Sequence, residues 1–169
     1  MELNAINLQI ISNVLLFAGT IVAACTIGYN IRTARRTQTA IFLFESRKDQ
    51  EYITAIHTLK DLKDSGKSLR SYVFPPKGKQ TSQAEKDEGR RVQYILNFYE
   101  RVAVSIKAGI YDEAMIKKTS FSTVMDTYET ADPMIKAIRE KARSGTVYQE
   151  YEWLYNRWKR CPLTQNKHK

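Results

Sequence analysis

Side chains able to run acid–base, metal or nucleophilic chemistry are few in this 169-residue chain. Histidine occurs at His57 and His168, and cysteine at Cys25 and Cys161. A structural zinc site takes four Cys or His ligands, and a hydrolytic triad holds a histidine between a nucleophile and an acid. Two distant histidines, with no CxxC pair and no glycine-rich phosphate loop, supply neither. The expectation is a protein that is not an enzyme, with no catalytic residue, no metal and no cofactor. Glu100 borders the apolar face of a helical pattern and is followed by Arg101. A structural ion pair or cap is expected there rather than an acid–base group. Tyr148, Tyr151, Trp153, Tyr155 and Trp158 cluster beside Arg157, Lys159 and Arg160. Aromatic rings among cations can stack on RNA bases, but such rings serve more often as core and interface anchors.

One cysteine raises a chemistry of its own. In "IVAACTIGYNIRTARR", Ile21 to Arg36, the segment before Cys25 has the form of a lipobox, which would be cut and lipidated at that cysteine. An exported segment of that kind begins with a basic n-region. Here the opening "MELNAIN" has one acid and no base, and the basic cluster Arg32, Arg35 and Arg36 follows the apolar run. Residues 3–31 carry no charge at all. About 26 uncharged residues, Ile6 to Ile31, are long enough as a helix to cross a hydrocarbon core of roughly 30 Å. The expectation is a retained transmembrane helix over residues 1–31. The positive-inside rule then places the N-terminus outside and the rest in the cytoplasm, with the three arginines at the lipid headgroups.

That helix is not uniformly apolar. At roughly 100° per residue, Gln9, Ser12, Asn13, Thr20, Thr26 and Asn30 fall within an arc of about 140°. Leu16, Gly19 and Ala23 share the arc, while Ile10, Val14, Phe17, Ile21, Cys25 and Tyr29 lie opposite. Hydrocarbon offers polar groups no partner, so such a face meets protein or water. A single span must find either in another molecule. The neighbour is a dimer mate or partner protein packed through small residues, or a ring of copies around a polar lumen.

The remaining chain holds nearly all the charge, and the net is +9, which suits an anionic partner such as nucleic acid or lipid headgroups. Neither Pro nor Gly interrupts Ile31 to Asp64, so one long helix is expected to leave the membrane over residues 32–64. Residues 65–85 hold Pro75-Pro76, Gly66 and Gly78 among lysines and read as a basic loop, either a solvated linker or a contact for lipid or nucleic acid. Residues 86–160 read as a helical bundle. Its strongest stripe is Val92, Ile95, Leu96, Tyr99, Val102, Ala103 and Ile106, closed by Gly109. Ser120 and Asp132-Pro133 read as two further helix starts, and a last helix carries Tyr148 to Trp158. Residues 161–169 read as a disordered basic tail. The fold class expected is all-α.

The segment "ILNFYERVAVSIKAGIYDEAMI", Ile95 to Ile116, with the later "YQEYEWLYNRW", resembles a family of small bacterial membrane-anchored helical proteins of unknown function. The layout of one span, a long helix and a basic bundle is also similar to the accessory proteins of type VI-B CRISPR loci. That resemblance implies a divergent HEPN-like scaffold, pore formation in the bacterial inner membrane, and antiphage defence beside an RNA-guided, RNA-cleaving nuclease. The implied partners are further copies of the chain in a ring, the lipid bilayer, and a nuclease complex or RNA. HEPN ribonucleases place an arginine four to six residues before a histidine. Here His57 follows Arg47 by ten positions and His168 follows Arg160 by eight, so the resemblance implies the scaffold without the ribonuclease chemistry.

Overall fold

A computed structural model describes residues 2–78 and 80–164. Five α-helices occur among the described residues: α1 (Glu2–Ser46), α2 (Gln50–Asp64), α3 (Gln83–Lys107), α4 (Glu113–Ala142) and α5 (Gln149–Arg160). A single 3₁₀ turn, Leu69–Tyr72, lies between α2 and α3. No strand occurs among the described residues, and the chain is all-α as its periodicities predict.

The 45 residues of α1 make a rod of roughly 68 Å. Asn7–Ser46 is long and apolar enough to cross a membrane, with mean hydropathy 2.1 in its most apolar window and none of that window covered by the rest of the chain. The helix runs through Cys25 without a break. It does not continue to Asp64. The rod expected over 32–64 breaks at residues 47–49, and the reason is a cap rather than a breaker residue. The Asp49 carboxylate accepts the Tyr52 amide at 3.0 Å and the Tyr94 hydroxyl at 2.6 Å. An aspartate competes with its own helix backbone and stabilises a new N-terminus. Burial pushes the Asp49 carboxyl up, but the Tyr94 hydroxyl and the Tyr52 and Glu51 amides outweigh it and hold it below its ordinary value.

The core is built by α2 to α5. Ala55, Leu59 and Leu62 of α2 pack on α3, whose Val92, Ile95, Leu96, Tyr99, Val102, Ala103 and Ile106 are all buried. Tyr151, Leu154 and Trp158 of α5 close the other side. The stretch 65–85 is docked rather than free. Leu69 and Val73 are buried, Lys67 pairs with Glu88 at 3.0 Å, and the Tyr72 hydroxyl donates to the same carboxylate. Its last residues already begin α3, where Ser82 and Glu85 form a reciprocal capping box.

Two expected helix starts are interior to α4. Ser120 sits about two turns in and Pro133 about two-thirds of the way along, because the start is claimed earlier by Asp112, whose side chain accepts the Met115 amide at 3.1 Å. A proline in a helix interior costs about 3 kcal/mol. Around Pro133 the fully buried Ala131, Met134 and Ile135 offset that cost and hold the helix through it. After α5, residues 161–164 have no regular structure; His168 and residues 165–169 of the expected tail lie outside the described residues.

Candidate functional site

The polar face of α1 is the first feature to place. Gln9, Ser12, Asn13, Thr20, Thr26 and Asn30 all lie on the one uninterrupted helix, and all are exposed. Thr20 Oγ1 donates to the Leu16 carbonyl at 2.9 Å and Thr26 Oγ1 to the Val22 carbonyl at 2.8 Å. These two hydroxyl protons are therefore satisfied within the helix. The amides of Gln9, Asn13 and Asn30 and the Ser12 hydroxyl carry the face's hydrogen-bonding demand. Cys25 is exposed on the apolar side.

Below the uncharged run, α1 meets the bundle at a joint the sequence did not reveal. Thr39 is fully buried, and its hydroxyl does two things. It donates to the Arg35 carbonyl at 2.8 Å and accepts the backbone N–H of Asp112 at 2.7 Å. Asp112 is the N-cap of α4, so one hydroxyl ties α1 to the start of the longest bundle helix. Arg36 Nε lies 3.6 Å from the Asp112 carboxylate. Phe42 stacks on Tyr111 at 4.8 Å and reaches Phe98 at 5.5 Å. Gly109, at φ 72, ends α3 in the left-handed region, and a Cβ there would come within 3.0 Å of the Arg35 guanidinium. The backbone requires the glycine, and the absent side chain leaves room for the arginine that lies over it.

Of the expected headgroup arginines, Arg35 and Arg36 thus lean on the bundle, while Arg32 stays at its rim. Beside the joint, Glu113 accepts Arg157 Nε at 2.7 Å and Nη2 at 3.0 Å, and the Trp158 indole N–H at 3.1 Å. Burial raises the Glu113 carboxyl, but the Arg157 guanidinium and the indole N–H outweigh it and hold it below the ordinary range.

Replacing Thr39 by valine keeps the shape and removes the hydroxyl. The Asp112 amide is then buried without an acceptor, which costs about 1–3 kcal/mol. The expected outcome is faster hydrogen exchange at Asp112 and looser docking of α1, read by hydrogen-exchange mass spectrometry on the full chain. Unchanged protection at Asp112 would remove Thr39 from the joint.

The direction of the joint fixes that of the polar face. Arg35, Thr39 and Phe42 point to the bundle, on the order of 120° round the helix from the centre of the polar arc. The bundle therefore leaves that arc uncovered. Directly beneath it, on the same side, Ile41 and Phe44 are 50% and 67% exposed.

The remaining sequence candidates divide cleanly. Glu100 and Arg101 are not an ion pair; neighbours in a helix do not face each other. The Glu100 carboxylate instead accepts the backbone amides of Glu150 at 3.3 Å and Tyr151 at 2.7 Å, capping α5 across the bundle. Arg101 lies on the exposed side of α3. Tyr148, Tyr151, Tyr155 and Trp158 are buried core, not a base-stacking platform. His57 is exposed on α2, and no group of His, Cys, Asp and Glu able to hold a metal occurs among the described residues. Residues 13–158 match the family described as "Domain of unknown function (DUF4760)". No curated protein and no solved structure matches the chain.

Proposed function

The chain belongs to the DUF4760 family, a domain of unknown function, and on that footing we propose from its own residues that it is a homo-oligomeric membrane pore. The observation that carries this reading is the polar arc from Gln9 to Asn30 on a membrane-length helix, turned away from the chain's own bundle. A polar face in hydrocarbon needs protein or water beside it. A ring of copies supplies both, with Gln9, Asn13, Thr20 and Asn30, together with Ser12 and Thr26, lining a shared lumen. The exposed Ile41 and Phe44 below the arc favour a neighbouring copy on the same side. In this reading the N-terminus is outside, the bundle is in the cytoplasm, and Arg32, Arg35 and Arg36 lie at the headgroups at the cytoplasmic end of the span, on the side turned away from the lumen. The activity is permeabilisation or depolarisation of a bacterial inner membrane rather than catalysis. Its place in antiphage defence beside an RNA-guided nuclease, and its HEPN-like scaffold, rest on the resemblance of Ile95–Ile116 and of the layout.

The test is the double substitution Asn13→Leu, Thr20→Leu in the full chain reconstituted into liposomes. Ion flux is expected to fall to near background while insertion and oligomer mass stay unchanged. Wild-type flux in the double variant, or a monomer on sizing in detergent, would sink the pore. A second reading, a membrane-tethered adapter for RNA or protein, is favoured by the net charge of +9. It predicts salt-sensitive RNA binding without flux.

A further inference from the structure

The end of the bundle from which α1 departs holds a concentration of cations drawn from three separate parts of the chain. Two adjoining cavities flank the joint. One, of about 550 Å³, lies between α1 and α4 and is lined by Arg32, Arg36 and Lys118, with Asp112 as the acid. The other, of about 470 Å³, lies between α1, α4 and α5 and is lined by Arg35, Lys117 and Arg157, with Asp112 and Glu113. Asp112 and Ala114 line both, so the two are continuous.

Both acids are already occupied. Asp112 faces Arg36 and caps α4, and Glu113 holds Arg157 and the Trp158 indole. Lys117 donates to the Cys161 carbonyl. Arg32, Arg35 and Lys118 have no carboxylate partner among the described residues. The depth of this surface follows from the sequence: Arg32 is the first charge after an uncharged run that ends at Ile31. Cations at that level meet the layer where phospholipid phosphates lie.

We infer that this face is a seat for anionic phospholipid headgroups, completed by Lys117 and Lys118 of α4. Arginines just after a span need only hold its end in place. Here the bundle brings residues more than 80 positions further along to the same two cavities. The domain is thereby laid against the bilayer rather than hung from it. The inference rests on the membrane-span reading of α1. Each Lys or Arg near an anionic surface contributes about a fivefold gain in binding.

The experiment titrates the full chain, in neutral detergent, with phosphatidylglycerol or phosphatidylcholine and counts bound lipid by native mass spectrometry. Lys117→Gln with Lys118→Gln is expected to weaken phosphatidylglycerol binding roughly twentyfold. Lys86→Gln with Arg91→Gln, on the exposed side of α3, is expected to leave it unchanged. Equal losses in the two variants, or equal retention of phosphatidylcholine, would overturn the seat. So would displacement of the lipid by millimolar inorganic phosphate, which marks a free-anion site. Failure of the span is distinguished by alkaline carbonate: a chain released from membranes by it loses both readings, whereas a retained chain without lipid preference loses this one alone.

Discussion

Replacing Trp158 with alanine is expected to destabilise the bundle strongly while α1 stays helical. Trp158 is fully buried in α5. Its ring stacks on Phe121 at 5.9 Å, and its indole N–H donates to Glu113 at 3.1 Å. Truncating a buried tryptophan costs about 3–5 kcal/mol. That is a large share of the roughly 5–15 kcal/mol by which a domain is stable. The midpoint of thermal unfolding should drop by about 10 °C or more. Trypsin reads the change well, because all 27 lysines and arginines lie from Arg32 onward. The alanine variant should be cut within α2 to α5 under conditions that spare the wild type. Phenylalanine at the same position keeps a ring and loses the indole N–H, so its cost should be nearer 1–2 kcal/mol. An alanine variant as resistant as the wild type would show that α5 is not a structural wall of the core.

The second large effect belongs to Glu100. The N-cap position of α5 is Tyr148, a residue in the left-handed region at φ 56 whose side chain makes no capping hydrogen bond. The helix's first amides point instead at the Glu100 carboxylate, the Tyr151 amide at 2.7 Å. Removing that carboxylate leaves partly buried donors unpaired and takes a negative charge from the positive end of the helix. Glu100→Ala should cost about 2 kcal/mol, and Glu100→Gln, which keeps an acceptor oxygen, about 1 kcal/mol. Circular dichroism melting of the full chain measures the loss, and hydrogen exchange at Tyr151 locates it. If the Tyr151 amide stays protected in the alanine variant, another group caps α5 and Glu100 is dispensable.

Sequence periodicity reaches some of these elements and not others, for physical reasons. The stripe from Val92 to Ile106 is legible because every member repeats at helical spacing and is buried against its neighbours. The end of α1 is not legible in the same way. No Gly or Pro marks residues 47–49, and the second donor to the capping Asp49 carboxylate comes from Tyr94, 45 positions away. Ser120 and Asp132-Pro133 carry the local marks of helix starts, but burial of Ala131, Met134 and Ile135 overrides them. The polar face of the span can be read from residue spacing alone, since a helix needs no tertiary information to define its faces. Thr39 cannot. An isolated threonine in a basic stretch carries no signal that its hydroxyl will meet an amide 73 residues later. The acceptors of Glu100 are equally distant, which is why spacing alone suggests its neighbour Arg101 as a partner.

The uninterrupted passage of α1 from the apolar run into the Thr39 joint has a mechanical consequence. No glycine or proline lies between Gly28 and Thr39, so the segment has no swivel. A helix that is continuous through this boundary transmits torque, and the azimuth of the span is phase-locked to the bundle. One residue more or fewer between Ile31 and Thr39 would turn one against the other by roughly 100°. Any rotation of the bundle about the axis of α1 therefore rotates the polar arc by the same angle, with no slack to absorb it.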